Sequence, residues 1–273
     1  LRSLGADDVA LDFLLRGEVV ESLDKLSALW ALHRDSATDL SRSLPDNRDL
    51  QFVVEGMSRV PEAMARMLPN GVELNRPVAG VRVLRDGVEV VTADGRKHRA
   101  RHVVVAVPPQ PLRGIRFDPV LPARHADAVA TMPMGQGTSL MIPVHEPYWE
   151  VDGRPGGMWT DNDRLGRIMQ LATPSGNYIW VYISGRANRA YRTMADADIM
   201  ASVLAELKRI RPSTEGRLGR GRVVNWSGNR FIGGTFARLE PGQPTRFGDV
   251  LATPAHRRVH FAGEHTALDN GGM

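Results

Sequence analysis

The strongest constraint on the fold is a change of hydrophobic period. Between residues 72 and 107 apolar side chains recur at every second position, through GVRVLRDGVEVVTADGRKHRARHVVVAV. A period of two belongs to strands with one buried face, and Asp86-Gly87 and Asp94-Gly95 are dipeptides that suit tight antiparallel turns. The last run, HVVVAV, loses the alternation, as a buried strand does, and Pro108-Pro109 stops it. The spacing predicts a meander feeding a buried strand, which is part of a larger α/β domain and not a whole one.

The flanking segments read differently. In ESLDKLSALWAL, Leu23, Leu26, Leu29 and Trp30 repeat at helical spacing, and SLPDNRD at 43–49 breaks the pattern. RVPEAMARML predicts a helix with Ser58 as its cap, Pro61 in its first turn and an apolar stripe of Val60, Met64, Met67 and Leu68. Beyond residue 113, TSLMIPV and NYIWVYISG are strand candidates. In the second, Ile179, Val181 and Ile183 face one way and Tyr178, Trp180 and Tyr182 the other. That aromatic row either walls a substrate cavity or packs beneath a helix. DADIMASVLAELKRI is the strongest helix, with Ile199, Val203, Leu207 and Ile210 on one stripe and Arg211-Pro212 closing it.

Several function classes drop out. The excess of 35 basic over 31 acidic residues, a net +4, is too small to call for a polyanion. The basic stretch at 96–101 follows a turn and reads as a solvated hairpin, so no nucleic-acid partner is expected. There is no apolar window long enough to span a membrane, and no basic start followed by an apolar run. A cytoplasmic location is expected. The chain contains no cysteine, which removes disulfides and thiolate chemistry. HExxH, GxSxG, a phosphate loop and GxGxxG are all missing, and His98 and His102 sit among arginines, so no metal site is expected.

What remains is the end of the chain, RVHFAGEHTALDNGGM at 258–273. An apolar strand through Val259 and Phe261 runs into Gly263, where the backbone can approach a bound group closely. Glu264, His265 and Thr266 then lie at the carboxyl end of that strand, a favoured ligand position in open α/β sheets. Gly271-Gly272 permits close approach again, and a helix starting there would offer free N–H groups. A glycine-rich loop without a ligand has the same composition.

FAGEHTALDNGGM resembles the C-terminal signature of the flavin-dependent amine oxidase family, which includes monoamine oxidases and L-amino-acid oxidases. VEGMSRVPEAMARML, HVVVAVPPQPLRGIRFDPVLP, MGQGTSLMIPVHEPYW and NWSGNRFIGGTFARLEPG are similar to further family segments, in the family's order, across residues 50–273. The resemblance implies a mixed α/β and α+β fold. It consists of an FAD-binding Rossmann-like domain, incomplete here, with an inserted substrate domain of sheet and helices. On that pattern residues 1–50 are a helical part of the substrate domain, 51–112 FAD-binding, 113–225 substrate domain, and 226–273 a return to the FAD-binding domain. A Rossmann segment is expected before residue 1 and a closing helix after Met273.

The resemblance also implies roles for individual residues. Gly263 and Glu264 lie against the FAD phosphate and ribitol, Gly271, Gly272 and Met273 lead to a helix facing the flavin pyrimidine, Trp226 lies by the isoalloxazine, and Val78 belongs to a strand touching the adenosine half. Ser139 occupies the position of a family lysine that holds a water and assists the reaction with oxygen. A serine hydroxyl orders water but brings no positive charge. Thr235 and Gly272 stand where monoamine oxidases carry the two tyrosines of an aromatic cage. Gly234 stands at the position of the covalent-flavin cysteine, so noncovalent FAD is expected. An amino-acid substrate would call for a cationic clamp, with Arg186, Arg230 and Arg238 as candidates.

The activity implied is oxidation of an amine or L-amino acid to the imine, with molecular oxygen as acceptor and hydrogen peroxide as product. The partners implied are that small molecule, oxygen, the N-terminal segment on the same or another chain, and a second copy in a homodimer. Two alternatives stand beside it: another flavoprotein of the superfamily, such as a desaturase or porphyrinogen oxidase, and an inactive fragment or scaffold subunit.

Overall fold

The computed structural model describes residues 2–11, 22–32, 53, 55–162 and 164–267. In chain order its helices are α1 (Arg59–Arg66), α2 (Pro109–Leu112), α3 (Ala123–Thr131), α4 (Tyr148–Asp152), α5 (Asp196–Ile210) and α6 (Gln243–Phe247). Its first five strands are β1 (Val78–Val83), β2 (Val88–Thr92), β3 (Lys97–Ala100), β4 (Val103–Val105) and β5 (Arg116–Asp118). Then come β6 (Gly137–Val144), β7 (Met158–Trp159), β8 (Arg167–Thr173), β9 (Gly176–Ser184), β10 (Arg222–Asn225) and β11 (Val259–Phe261).

The expected meander is present. Strands β1, β2 and β3 pair antiparallel in sequence order, and β5 adds parallel to β1. Gly95 takes the positive φ of 84° that its turn requires. The basic residues of β3 stay exposed, and Lys97 and Arg99 pair with Glu89, whose carboxyl is almost fully covered. Burial alone would raise the Glu89 pKa, but the Arg99 and Lys97 partners outweigh it and hold it low.

Strand β4 departs from the reading of a buried run. It pairs in parallel with β11, but Val104 is 64% exposed and only Val105 of its three valines is buried. Among the described residues these two strands form a sheet of their own, so one face of β4 has nothing packed on it. Similarly, α1 forms where predicted, but Val60, Met64, Met67 and Leu68 are all exposed and no residue of the helix is buried. The stripe is real in sequence, yet no described element lies against it. Ser58 makes no side-chain cap. The helix read through Leu23–Trp30 is broken in two, with a 3-10 turn at Leu23–Lys25 and a new helix from residue 28. Buried Ser27 accepts from the Trp30 amide at 3.3 Å and so caps the second piece.

Two apolar clusters hold the molecule. One joins Val81, Val88, Val105, Leu112, Ala128, Val129, Met132, Phe247, Val250, Leu251 and Val259. Residues 113–132 therefore pack with the β1–β5 side through α3. The other cluster lies between the five-stranded sheet, in the order β10-β6-β9-β8-β7, and α5. Ile199, Val203 and Leu207 of α5 are fully buried there with Ile179, Val181 and Ile183 of β9. Entry to and exit from this sheet are neighbours, because Thr138 of β6 pairs with Asn225 of β10.

Candidate functional site

The register of the five-stranded sheet decides which side carries chemistry. Leu140 pairs with Val181 and Ile142 with Ile179, all on the face covered by α5. Ser139 pairs with Tyr182 and Met141 with Trp180, so the aromatic row shares the opposite face with Ser139. The row does not pack beneath α5, and its three rings are half-buried. Burial pushes the Tyr182 phenol pKa up, keeping it protonated.

Gly137 lets this face close up. A Cβ there would stand 2.6 Å from Thr235 Cγ2 and 3.1 Å from Tyr182 Oη. The absent side chain thus brings Tyr182 of β9 and Thr235 of the glycine block together, beside the cross-strand pair of Tyr182 with Ser139. Thr235 is held by backbone bonds across from residues 133–137. Its amide donates to Gly135 O at 2.8 Å, and the Gly135 amide donates to Phe236 O at 2.8 Å. Gly234 has no room for a side chain, since its Cβ would lie 2.4 Å from Met134 Cβ and 2.6 Å from Gly135 O.

Trp226 follows β10 in a turn locked at both ends. Ser227 Oγ accepts from the Gly137 amide at 2.9 Å and from Asn188 Nδ2 at 3.0 Å. Asn225 Oδ1 accepts from the Gly228 amide at 2.9 Å, and Asn225 Nδ2 donates to Tyr191 O at 3.0 Å. Beside this turn opens a polar cavity of about 350 Å³, lined by Gln110, Gln136, Arg192, Ser227, Asn229 and Arg230.

A second group of site residues lies past β11. Gly263 has φ 124°, a backbone conformation reserved for glycine, and it opens a 3-10 turn over Glu264–Thr266. Glu264 Oε1 accepts from the Ala237 amide at 2.7 Å, which fastens this turn to the strand-like segment carrying Thr235. The His265 ring lies over Gly263: a Cβ at residue 263 would meet His265 Cε1 at 2.8 Å and Nδ1 at 2.9 Å. Its Nε2 is buried without a hydrogen-bond partner, and burial pushes the imidazole pKa below its usual value.

A family model for flavin-containing amine oxidoreductases matches residues 2–273. The chain belongs to that family. Among curated relatives of this flavin family, the flavin-containing amine oxidase of Danio rerio is 29% identical over 89% of the chain and 48% of that protein. The human flavin-containing amine oxidase B is 26% identical over 91% and 49%, and an L-amino acid dehydrogenase of Synechocystis 26% over 83% and 48%. The chain thus spans about half the length of the curated relatives it matches. Cyclohexylamine oxidase from Brevibacterium oxydans shares the fold, with a TM-score of 0.81 at 21% identity over 98% of this chain and 61% of its own. Wild-type putrescine oxidase, at 0.69 and 23%, aligns over 80% and 49%.

For a flavin amine oxidoreductase the donor set at the end of β11 fits the cofactor. A glycine at positive φ, an anchored loop and an orphaned buried imidazole nitrogen stand at the carboxyl end of a parallel strand pair. Val78 opens β1 in the four-stranded sheet and packs against the apolar cluster that holds Val105 and Val259 of the β4–β11 pair. Gly271, Gly272 and Met273 lie outside the described residues. Of the three arginines considered for a clamp, Arg186 and Arg230 are exposed, and Arg230 borders the polar cavity. Arg238 is 2% exposed, its guanidinium enclosed between Trp30 at 4.7 Å and Phe236 at 4.5 Å. The sequence placed Tyr182 in an aromatic row and His265 in the loop after the closing strand, but gave neither a role of its own. The alternation in NYIWVYISG showed that Tyr182 belongs to an aromatic face, but Gly137 and Thr235 had to be in place before that face could be read as a site. Among the described residues no three His, Asp or Glu side chains gather as a metal site, and no helix is long and apolar enough to cross a membrane.

Proposed function

We propose that this chain carries the substrate-facing and flavin-facing parts of an enzyme that oxidises an amine or L-amino acid to the imine. FAD is held noncovalently, and molecular oxygen is the acceptor, giving hydrogen peroxide. The observation that carries the reading is the meeting of Tyr182 and Thr235 at Gly137, with Ser139 across from Tyr182 on the same sheet face, fastened through Ala237 and Glu264 to the turn at Gly263. Residues 51–112 and 226–273 act as the FAD-binding part, 113–225 as substrate domain with 1–50 as its helical portion, in a cytoplasmic enzyme that works as a homodimer. The N-terminal segment the family supplies, on this or another chain, completes the pyrophosphate cradle.

Bound FAD supplies the two-electron acceptor, the chemistry that no side chain here offers. Gly263, Glu264 and the Gly271–Met273 segment would hold it, with Val78 toward its adenosine half. The locked turn would set the Trp226 indole beside it. The Tyr182 and Trp180 rings make an apolar wall that favours the neutral amine, and Thr235 and Gly272 are the residue types present where the resemblance puts cage rings. Ser139 orders a water at this wall. Gly234, without space for a side chain, offers no covalent anchor.

The test is the intact mass and visible absorption of the natively purified protein, followed by amine and L-amino-acid panels read by peroxide release. Flavin bands with substrate-dependent bleaching support the reading, and a colourless protein that takes up no FAD sinks it. The uncharged Ser139 favours a second reading, a dehydrogenase that passes electrons to an acceptor other than oxygen, as the name of the Synechocystis relative says of that protein. Turnover with a dye acceptor but none with oxygen would select it.

A further inference from the structure

Gly263 earned attention as a place where backbone approaches a ligand, but the space beside it is taken by a side chain of this protein. The His265 ring lies where a Cβ of residue 263 would be, at 2.8 Å from Cε1. Any other residue at 263 would displace the imidazole, so the glycine and the histidine form one unit. The unit is costly. Gly263 sits at φ 124°, and His265 Nε2 is buried with no hydrogen-bond partner. A buried polar atom left unsatisfied loses its hydration and gains nothing in return.

Nε2 of His265 stands two residues past a positive-φ glycine, at the carboxyl end of the parallel pair β4–β11. Its turn cannot swing away, because Glu264 is tied to Ala237 at 2.7 Å and the Thr266 hydroxyl donates to Gly263 O at 2.8 Å. A fixed ring with an unused polar atom, at the place where such a sheet takes its ligand, is a hydrogen-bonding group waiting for one.

We infer that His265 is a cofactor-binding residue, whose Nε2–H donates to an acceptor oxygen on the ribitol–phosphate chain of FAD. The inference rests on the reading under Proposed function that this chain binds FAD. An imidazole whose pKa burial has lowered is neutral at pH 7, so it has one ring proton to give and adds no charge. Its contribution is therefore one directional hydrogen bond with no ion pair, given from the nitrogen that no protein group engages.

The experiment titrates FAD into natively purified protein stripped of flavin, by fluorescence quenching and visible absorption, for the unmodified protein, His265→Phe and His265→Gln. Phenylalanine keeps the ring over Gly263 and removes the polar atom, and glutamine restores an N–H donor at similar reach. The expected result is FAD affinity about fivefold weaker for His265→Phe, the worth of one neutral hydrogen bond, with partial recovery in His265→Gln. The melting temperature of the stripped His265→Phe protein should not fall, since an unsatisfied atom has been replaced by an apolar one. Equal affinity for His265→Phe and the unmodified protein overturns the inference and leaves flavin binding standing. Absence of FAD binding by the unmodified protein overturns both.

Discussion

The carboxylate of Glu264 is fastened to the amide of Ala237 at 2.7 Å, so a turn near the end of the chain and the glycine block before it move as one body. Removing that acceptor should loosen both halves of the site together. Glu264→Ala is expected to cost about 2 kcal/mol, the scale of a hydrogen bond to a charged group, and to weaken FAD binding about tenfold or more. Glu264→Gln keeps an acceptor oxygen and should recover most of the stability. Urea unfolding and flavin titration measured side by side check both effects.

Ser139 shares its sheet face with Tyr182 and carries no charge. Ser139→Lys places a cation on that face, where it would stabilise a developing superoxide. The rate at which reduced enzyme reacts with oxygen should rise about tenfold or more, while anaerobic reduction by substrate stays nearly constant. Stopped-flow absorbance resolves the two half-reactions, and an unchanged oxygen rate removes Ser139 from the argument.

A methyl group at Gly234 would press on Met134 Cβ and Gly135 O, neither of which is a flexible chain end. Gly234→Ala should therefore lower stability by about 2 kcal/mol through overpacking, detectable as a shift in urea midpoint. Leu207→Ala, at a fully buried position on α5, should cost about 3 kcal/mol. It should leave flavin affinity alone, because Leu207 lies on the sheet face opposite Ser139.

Stability should also depend on pH through His265. Its folded pKa lies below the ordinary 6.5 because burial disfavours the charged ring. Above 6.5 the imidazole is neutral folded and unfolded, and it contributes no slope. Below 6.5 the unfolded chain takes up the proton first, so stability falls with pH until the depressed folded value is reached. His265→Phe should flatten that part of the profile, as followed by urea midpoints between pH 7 and pH 5.

The parts of this molecule legible in the sequence were those whose signal is local. The stripe on α5 predicted its buried face, and the two Asp-Gly turns predicted the order of β1, β2 and β3, because periodicity and turn chemistry need only neighbours in the chain. The same periodicity misled at α1. Val60, Met64, Met67 and Leu68 are amphipathic by spacing, but spacing does not supply a surface to pack on, and among the described residues none is there. At the site, motifs found Ser139, Trp226, Thr235 and Gly263 one at a time. What they could not give was the partner across the gap: Tyr182 gains meaning from Gly137, and His265 from Gly263, through distances no alternation encodes.

Strands β4 and β11 lie side by side, yet roughly 150 residues of chain separate them. Closing so long a loop carries an entropic cost and slows folding when the intervening chain is disordered. The pairing of Thr138 with Asn225 changes the problem, since it brings the start and end of the five-stranded sheet together. Once that sheet has closed on α5, it behaves as a short tether, and the connections left to span are the stretches 106–136 and 226–258. This connectivity favours closure of the five-stranded sheet before the β4–β11 pairing and the turn that follows it. A block in folding anywhere between residues 137 and 225 should therefore leave the cofactor end unbuilt even where its own sequence is intact.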